Sequence, residues 1–323
     1  MRALFFLPYL LAGFLAGIGA ALAQAWPERP VRIIVGYPPG GGTDLVARLV
    51  QQPLSTRWGQ PVVIDNRPGA NAIIATEAVA KAKPDGYTLL MAYATELAVN
   101  PATMKKRPYD PVRDFTPIMQ LASAPLVLAL HPAVAAKDVR ELVALAKAKP
   151  GTLSYSSSGT GSVHHFAGEL FKLQTGTDLL HVPYKGSGPA AADAVAGQVQ
   201  ANFASVASVL RFVQAGRLRA LAVTSKRRSS QMPDVPTMVE AGLADFELTS
   251  WYGLLAPAGT PPALVAKIHA DMTAVLGGAE IQKSFDVQGL DMAGGSPQAF
   301  AEFVRAEAAK FARIAKAGSI SVE

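Results

Sequence analysis

Three glycines, a threonine and an aspartate follow an apolar run near the start of the chain, in the stretch GYPPGGGTDLVARLV from Gly36 to Val50. This order predicts a strand, a loop and a helix that begins at Thr43. The first turn of a helix has unpaired N–H groups, and glycines let a ligand approach them closely. The spacing therefore predicts a backbone cradle for an anion. The lysine position of a phosphate-binding loop is Gly42 here, which argues against nucleotide hydrolysis.

Two later segments have a similar composition. The run SSSGTGSVHHFAGELF, from Ser156 to Phe171, predicts a polar loop that leads into a helix. The hydroxyl groups that this loop would present are those of Ser158, Thr160 and Ser162. A third cradle is predicted at Gly186-Ser187-Gly188, ahead of Pro189. Two such helix starts that face each other could bind the two carboxylates of a diacid. The alternative for each segment is an ordinary turn with a capping residue.

Residues for catalysis or metal binding do not stand at suitable spacing. The sequence has no Gly-x-Ser-x-Gly elbow and no His-Glu-x-x-His motif. His164 and His165 are adjacent and should diverge on a helix, and His165 with Glu169 is more typical of a hydrogen bond or ion pair than of a metal site. We therefore expect no enzymatic activity, cofactor or metal. The alternative is a secreted α/β hydrolase or lyase that uses one of the cradle serines.

Composition narrows the class of protein. The chain has 323 residues, of which 50% are hydrophobic and 17% charged, enough for one large core or two medium ones. The net charge is +6, and the positively charged residues are scattered along the chain without aromatic residues between them. We therefore expect no nucleic-acid partner. Trp58 and the pair Trp251-Tyr252 are expected in the core.

The first 25 residues have the pattern of a secretory signal peptide. Arg2 precedes an apolar run from Ala3 to Ala23, and small residues then predict a mature start at Gln24 or Trp26. An uncleaved membrane anchor is the alternative, because the run is just long enough to span a bilayer. The chain contains no cysteine and so no disulfide or lipidated thiol. We expect a free protein in the bacterial periplasm.

Apolar β-branched runs alternate with stretches of helical period, which predicts an α/β fold with a largely parallel sheet. The strand Val31–Val35 and the helix Asp44–Leu54 are the first such pair, and Pro53 should kink or end that helix early. A second block in the same style begins near Leu126. Two α/β lobes follow, and the cleft between them is the expected ligand site.

Taken together, these motifs resemble the substrate-binding proteins of tripartite tricarboxylate transporters, the TctC or Bug family. The resemblance rests on Gly36 to Arg48, VIDNRPGANAIIATEAVAKAKPDGYTLLMA, RDFTPI, Ser156 to Leu173, VPYKGSGPAAADAVAGQV, LRALAVTSKRRSSQMPDVPTMVEAG and GLLAPAGTPP, in order along nearly the whole mature chain. It implies a type II periplasmic-binding-protein fold whose two lobes close on a small carboxylate, an organic acid or amino acid. It further implies delivery to the permease subunits of a membrane transporter. Presentation of the ligand to a membrane sensor is the alternative.

The expected division is a signal peptide at 1–25, a first lobe at 26–125 plus 237–323 and a second lobe at 126–236. Hinge segments are expected near Leu121–Leu126 and Asp234–Trp251, and the protein is expected to be a monomer.

The resemblance also implies site residues. In that family the first-lobe loop, here Tyr37 to Asp44, holds a carboxylate largely through main-chain groups and ordered waters. The second-lobe pattern falls on Ser158 to Ser162 and His165, and the hydroxyl-bearing segment before Asn100 falls on Thr95 and Glu96. The full set of candidate ligand-binding residues is Tyr37, Gly40, Gly41, Gly42, Thr43, Asp44, Thr95, Glu96, Ser158, Thr160, Gly161, Ser162, His165, Ser187, Gly188 and Ser205.

Two positions depart from the family pattern. Glu96 stands where relatives usually have a small neutral or hydroxyl residue, and its carboxylate would repel an anion unless the ligand has an amine or the side chain turns away. Ala204 and Ser205 follow Phe203, where relatives often have Asp or another polar residue. Both departures leave the identity of the ligand open.

Overall fold

The computed structural model describes residues 26–322, and the predicted signal peptide therefore lies outside the described residues. The strands are β1 (Val31–Val35), β2 (Val62–Asn66), β3 (Thr88–Tyr93), β4 (Phe115–Leu130), β5 (Ser154–Ser157), β6 (Leu180–Pro183), β7 (Ala201–Ser205), β8 (Arg219–Val223), β9 (Thr249–Pro257) and β10 (Asp291–Gly294). The α-helices are α1 (Gly42–Trp58), α2 (Ile73–Ala80), α3 (Asn100–Thr103), α4 (Val139–Ala148), α5 (Val163–Thr175), α6 (Ser187–Val195), α7 (Val206–Gln214), α8 (Pro262–Leu276), α9 (Ala279–Val287) and α10 (Pro297–Ala317). A π-helical turn, Thr95–Val99, follows β3.

All ten strands belong to one continuous sheet. Its main order is β2-β1-β3-β9-β4-β7-β5-β6, and β8 and β10 also pair with β4. The strands β1, β2 and β3 are mutually parallel, as are β5, β6 and β7, whereas β4 and β9 run antiparallel to their neighbours. The predicted parallel pattern is thus present at both ends of the sheet, with an antiparallel centre between them.

The long strand β4 joins the two halves of the sheet. Its residues Phe115 to Pro125 pair with β9, and its residues Leu126 to Leu130 pair with β7 and β8. We call β1, β2, β3, β9 and β10 the first half of the sheet. The second half consists of β5, β6, β7 and β8. The chain returns to the first half where Leu248 donates its N–H to the carbonyl of Thr224, just before β9 begins.

The helix α1 extends past the point where the sequence predicted its end. Its apolar stripe of Val46, Val50, Leu54 and Trp58 is buried, and the helix continues through Pro53 to a left-handed cap at Gly59. The predicted early end at Pro53 is therefore wrong. Burial of the stripe beyond the proline favours continuation, and it outweighs the one backbone hydrogen bond that a proline removes.

The apolar core is not divided into two separate cores. One cluster of buried side chains extends from Leu90 and Trp251 in the first half to Tyr155 and Phe203 in the second. Two smaller clusters lie on the other faces of the halves. The last helix, α10, contacts both halves, because the ring of Phe311 lies 4.9 Å from that of Phe166 in α5 and the ring of Phe300 lies 6.1 Å from that of Trp251.

Among residues 26–322, no helix has the length and apolar character needed to cross a bilayer.

Candidate functional site

Two adjoining cavities lie where the loops of the two halves meet. The large chamber, of about 520 Å³, lies between the start of α1, the start of α7 and the segment after α9. The small chamber, of about 210 Å³, lies against the loop that precedes α5. Tyr37, Tyr93 and His164 line both chambers and form the wall between them.

The first predicted cradle lines the large chamber. Gly41, Gly42 and Thr43 face it at the beginning of α1, which starts one residue earlier than predicted and has no side-chain cap. The Gly42 backbone lies against Tyr252, and a Cβ atom at that position would overlap the tyrosine hydroxyl. Glycine is therefore required at residue 42 for this close approach.

Asp44 lies behind that cradle and not in the lining of either chamber. Its buried carboxylate accepts hydrogen bonds from the Gly40 N–H at 2.9 Å, from Arg48 Nε at 2.8 Å and from Asn66 Nδ2 at 2.9 Å. Burial acts to raise the pKa of Asp44, but these hydrogen bonds outweigh it and leave the pKa below its ordinary value. Gly40 and Asp44 were predicted to bind the ligand; both lie outside the lining of the two chambers, and a hydrogen bond joins them.

The second predicted cradle lines the small chamber. Ser158, Thr160, Gly161 and Ser162 all face it. The hydroxyl of Ser162 caps α5 by accepting from the N–H of His165 at 3.2 Å. This cap uses one first-turn N–H group of α5, and Ser158 and Thr160 lie beside it in the lining.

The two adjacent histidines of α5 have different surroundings. His165, the predicted ligand residue, faces inward, where its ring stacks on His181 with centroids 3.8 Å apart and its Nδ1 accepts from the N–H of Gly161 at 3.2 Å. His164, which we did not predict, lines both chambers, and its Nδ1 lies 2.7 Å from Ser158 Oγ. Adjacent side chains on a helix diverge, so the sequence indicated that only one of the two histidine rings would face the cleft. It did not indicate which one.

Two further helices begin at the large chamber. Ser187, the first residue of α6, and Ser205, which precedes α7, both line it, whereas Gly188 does not. Four helix starts, those of α1, α5, α6 and α7, therefore converge on the two chambers. Each contributes unpaired N–H groups and a partial positive charge.

Thr95 lines the small chamber, but the neighbouring Glu96 is fully buried beneath it. Its Oε2 accepts hydrogen bonds from the Tyr37 hydroxyl at 3.0 Å and from the Tyr93 N–H at 3.3 Å. Burial raises the pKa of Glu96 to about 8, so the group is neutral at pH 7. Glu96 was expected to repel an anion unless the ligand has an amine or the side chain turns away, and its carboxyl group lies outside the lining of both chambers.

Tyrosines that the sequence did not single out as ligand residues also line the cleft. Tyr93 and Tyr252 stand on neighbouring strands with ring centroids 5.3 Å apart, and the Tyr93 hydroxyl lies 2.7 Å from Ser250 Oγ. Trp58, Trp251 and Tyr252 are buried as predicted, and Tyr252 also lines the large chamber. The alternation of side chains along β9 places Trp251 and Tyr252 on opposite faces of the sheet.

The lining of the two chambers contains no Asp, Glu, Lys or Arg in the part of the chain that the structure describes. Its polar groups are hydroxyls, an imidazole, backbone amides and the side-chain amides of Asn71 and Gln288. The described residues also include no cluster of three or more His, Cys, Asp or Glu arranged to hold a metal ion. The arrangement can hold a small anion through hydrogen bonds and helix starts without a cationic side chain.

An α/β fold with a cleft of this kind is that of the periplasmic solute-binding proteins. The chain belongs to the family described as tripartite tricarboxylate transporter family receptor, whose model matches residues 46–320. The resemblance inferred from the sequence and the predicted fold class are thereby confirmed.

Individual relatives agree with this assignment. Protein BugT of Bordetella pertussis is 37% identical over 303 residues, which cover 93% of each chain. The solved structure of R. palustris Rpa4515 with adipate is 36% identical, has a TM-score of 0.80 and covers 92% of this chain and 99% of that one. The structure of MatC from Rhodopseudomonas palustris with bound malate is 31% identical, with a TM-score of 0.75 and coverage of 90% and 99%.

Proposed function

We propose that this protein is a periplasmic receptor that captures a small carboxylate, an organic acid or an amino acid, and delivers it to the permease of a tripartite tricarboxylate-type transporter. The observation that carries the proposal is the convergence of four helix starts on a cleft without charged side chains. An anion enclosed there would be stabilised by backbone N–H groups and hydroxyls. The carboxylates bound by two relatives, adipate and malate, support the same class of ligand.

The proposed direct contacts are the members of the predicted set that line the chambers: Tyr37, Gly41, Gly42, Thr43, Thr95, Ser158, Thr160, Gly161, Ser162, Ser187 and Ser205. Of the remaining members, Asp44, Glu96 and His165 are buried and would act by holding the loops in place. We further propose that the chain is exported through residues 1–25, has no catalytic activity and acts as a monomer.

The proposed first lobe comprises residues 26–125 and 237–323, and the second lobe comprises residues 126–236. The proposed hinges lie where β4 changes its pairing partner from β9 to β7 and where the chain returns to the first lobe before β9. The change of pairing partners within β4 supports the first boundary. Because α10 contacts both halves, we expect the closing motion to be small.

Thermal unfolding with a panel of acids tests the proposed ligand class. Selective binding to the folded state raises Tm, by an amount that grows with ligand concentration. Dicarboxylates, tricarboxylates, amino acids and aromatic acids would be compared with uncharged amides of the same size. At least one acid should raise Tm while its amide does not; no response to any acid would refute the proposal. Capture of the permease subunits from membranes, with and without that acid, then separates delivery from presentation to a sensor.

The hydrogen bond between Ser158 and His164 gives a second candidate, a secreted hydrolase, some support. A serine beside a histidine is the minimum for an activated nucleophile, but the histidine normally needs a third group to orient it. His164 Nε2 has no partner among the described residues, which leaves the pair incomplete. Hydrolysis of ester or amide derivatives that is lost in Ser158→Ala would favour this candidate.

A further inference from the structure

His164 is buried in the wall between the two chambers, and its two ring nitrogens differ in their surroundings. Only 7% of the residue is exposed. Nδ1 lies 2.7 Å from Ser158 Oγ, whereas Nε2 has no hydrogen-bond partner. Among the buried side-chain N and O atoms without a partner in residues 26–322, Nε2 of His164 alone belongs to a residue of the chamber lining. Buried polar atoms nearly always have a hydrogen-bond partner, so we expect a molecule that enters the cleft to form a hydrogen bond with this nitrogen.

The surroundings of Nδ1 decide which nitrogen holds the proton. Burial lowers the pKa of His164 to about 4, so the ring is neutral at pH 7 and has one N–H. Nδ1 faces Ser158 on the loop in front of α5, where the helix start creates a positive potential. That potential favours a lone pair on Nδ1, which accepts the hydroxyl proton of Ser158. The imidazole proton then resides on Nε2.

We infer that His164 is a specificity-determining residue, which donates its Nε2–H to a carboxylate or carbonyl oxygen of the ligand at the junction of the two chambers. Ser158 is the positioning residue that fixes this tautomer. The inference rests on the proposed function for the class of ligand. It explains how an anion is recognised at this point by a neutral donor, and it predicts discrimination against a ligand that has no acceptor atom there, because the N–H would remain unpaired.

Three substitutions separate the roles of the two nitrogens. His164→Gln keeps a donor near the position of Nε2, His164→Asn keeps polar atoms only near Nδ1, and His164→Phe keeps the ring without either. Adipate is the first probe, with affinity measured by titration calorimetry and Tm recorded for each variant without ligand. We expect the Asn and Phe variants to bind at least about tenfold more weakly and the Gln variant to stay within about threefold of wild type. Equal losses in all three variants would overturn the inference.

If wild type does not bind adipate, the acid that gives the largest Tm increase in the panel replaces it. Failure of every acid would refute the proposed function, and a measurement without ligand then still decides the state of His164. ¹⁵N spectra of the imidazole in the ligand-free protein at pH 7 should place the proton on Nε2. A proton on Nδ1 would make Nε2 an acceptor and overturn the inference.

The pH dependence of binding gives a further test. Tyr37, Tyr93 and Tyr252 are the titratable residues that line the chambers beside His164 in the described chain, and the stacked pair His165 and His181 lies on the inner side of α5. Because His164 binds as a neutral donor, the affinity of wild type should not rise as the pH falls from 7 to 5.5. An affinity that rises as the pH falls toward 5.5 would indicate a cationic histidine and contradict the inference.

Discussion

The hydroxyl of Tyr37 donates a hydrogen bond to Oε2 of Glu96 at 3.0 Å, beneath the wall of the cleft. The contact joins the loop after β1 to the π-helical turn after β3, and it places a protonated carboxyl group in a fully buried position. A π-helical turn is rare and is often found near functional sites. The loop that lines the large chamber and a titratable buried group are therefore physically linked.

Because Glu96 is buried, we expect its contribution to the free energy of unfolding to depend on pH. Burial raises the pKa of Glu96 in the folded state to about 8, well above its value in an unfolded chain. The folded state thus retains a proton that the unfolded state releases, so the contribution is fully present below about pH 4 and is lost as the pH rises toward 8. Relative to Glu96→Gln, the unfolding free energy of wild type should fall by about 1 kcal/mol per pH unit between pH 5 and 8.

Urea denaturation at pH 5, 6.5 and 8 measures this difference. Glu77→Gln, at a half-exposed position on α2, is the matched control and should run parallel to wild type. If the curve for Glu96→Gln is also parallel to that of wild type, Glu96 is already ionised in the folded state.

Gly42 and Gly41 provide a second comparison. A Cβ at Gly42 would overlap the hydroxyl of Tyr252, whereas a Cβ at Gly41 would meet only the Pro38 carbonyl oxygen, at 3.6 Å. Gly42→Ala should weaken binding of the panel acid by about tenfold because it displaces a tyrosine of the lining. Gly41→Ala has an ordinary backbone conformation and should bind within about threefold of wild type.

Removing the hydroxyl should relieve that overlap. Gly42→Ala combined with Tyr252→Phe is expected to bind more tightly than Gly42→Ala alone, and calorimetry of both variants measures the recovery. A double variant that is weaker than either single variant would show that the overlap is not the cause of the loss.

Asp44 is expected to stabilise the folded protein, although it does not line either chamber. Asp44→Ala removes a buried carboxylate that accepts three hydrogen bonds, so it should lower the free energy of unfolding by about 2 kcal/mol. Arg48→Ala is the control, since Arg48 is half-exposed and its loss should change stability little. Urea denaturation compares the two variants, and equal effects would mean that the ion pair, not the loop support, carries the stabilisation.

Gln231 links the second lobe of the proposed division to the first. Its side-chain amide donates to the carbonyls of Val287 at 3.1 Å and Asp286 at 3.4 Å, at the end of α9. If the contact forms only when the lobes are together, Gln231→Ala should release the panel acid severalfold faster in stopped-flow measurements. Gln282→Ala, exposed on the same helix, should have no effect. An unchanged release rate in Gln231→Ala would show that the contact does not stabilise the closed state.

The sequence was most informative where a signal is local. The strand Val31–Val35, the helix Val139–Ala148 and the glycine-rich helix starts follow from hydrophobic period and turn residues within a few positions. The continuation of α1 through Pro53 did not follow, because it depends on burial of Leu54 and Trp58 against distant elements. Likewise, the antiparallel pairing of β4 with β9 joins segments more than a hundred residues apart.

The sequence by itself determined the family and the fold class, since each follows from motifs of contiguous residues. Only the tertiary structure decided that His164 and not His165 lines the cleft, that Tyr252 belongs to its lining, and that Glu96 and Asp44 lie behind it. The physical reason is that burial and hydrogen-bond partners arise from chain segments far apart in sequence. Those partners set both the direction of a side chain and its protonation state.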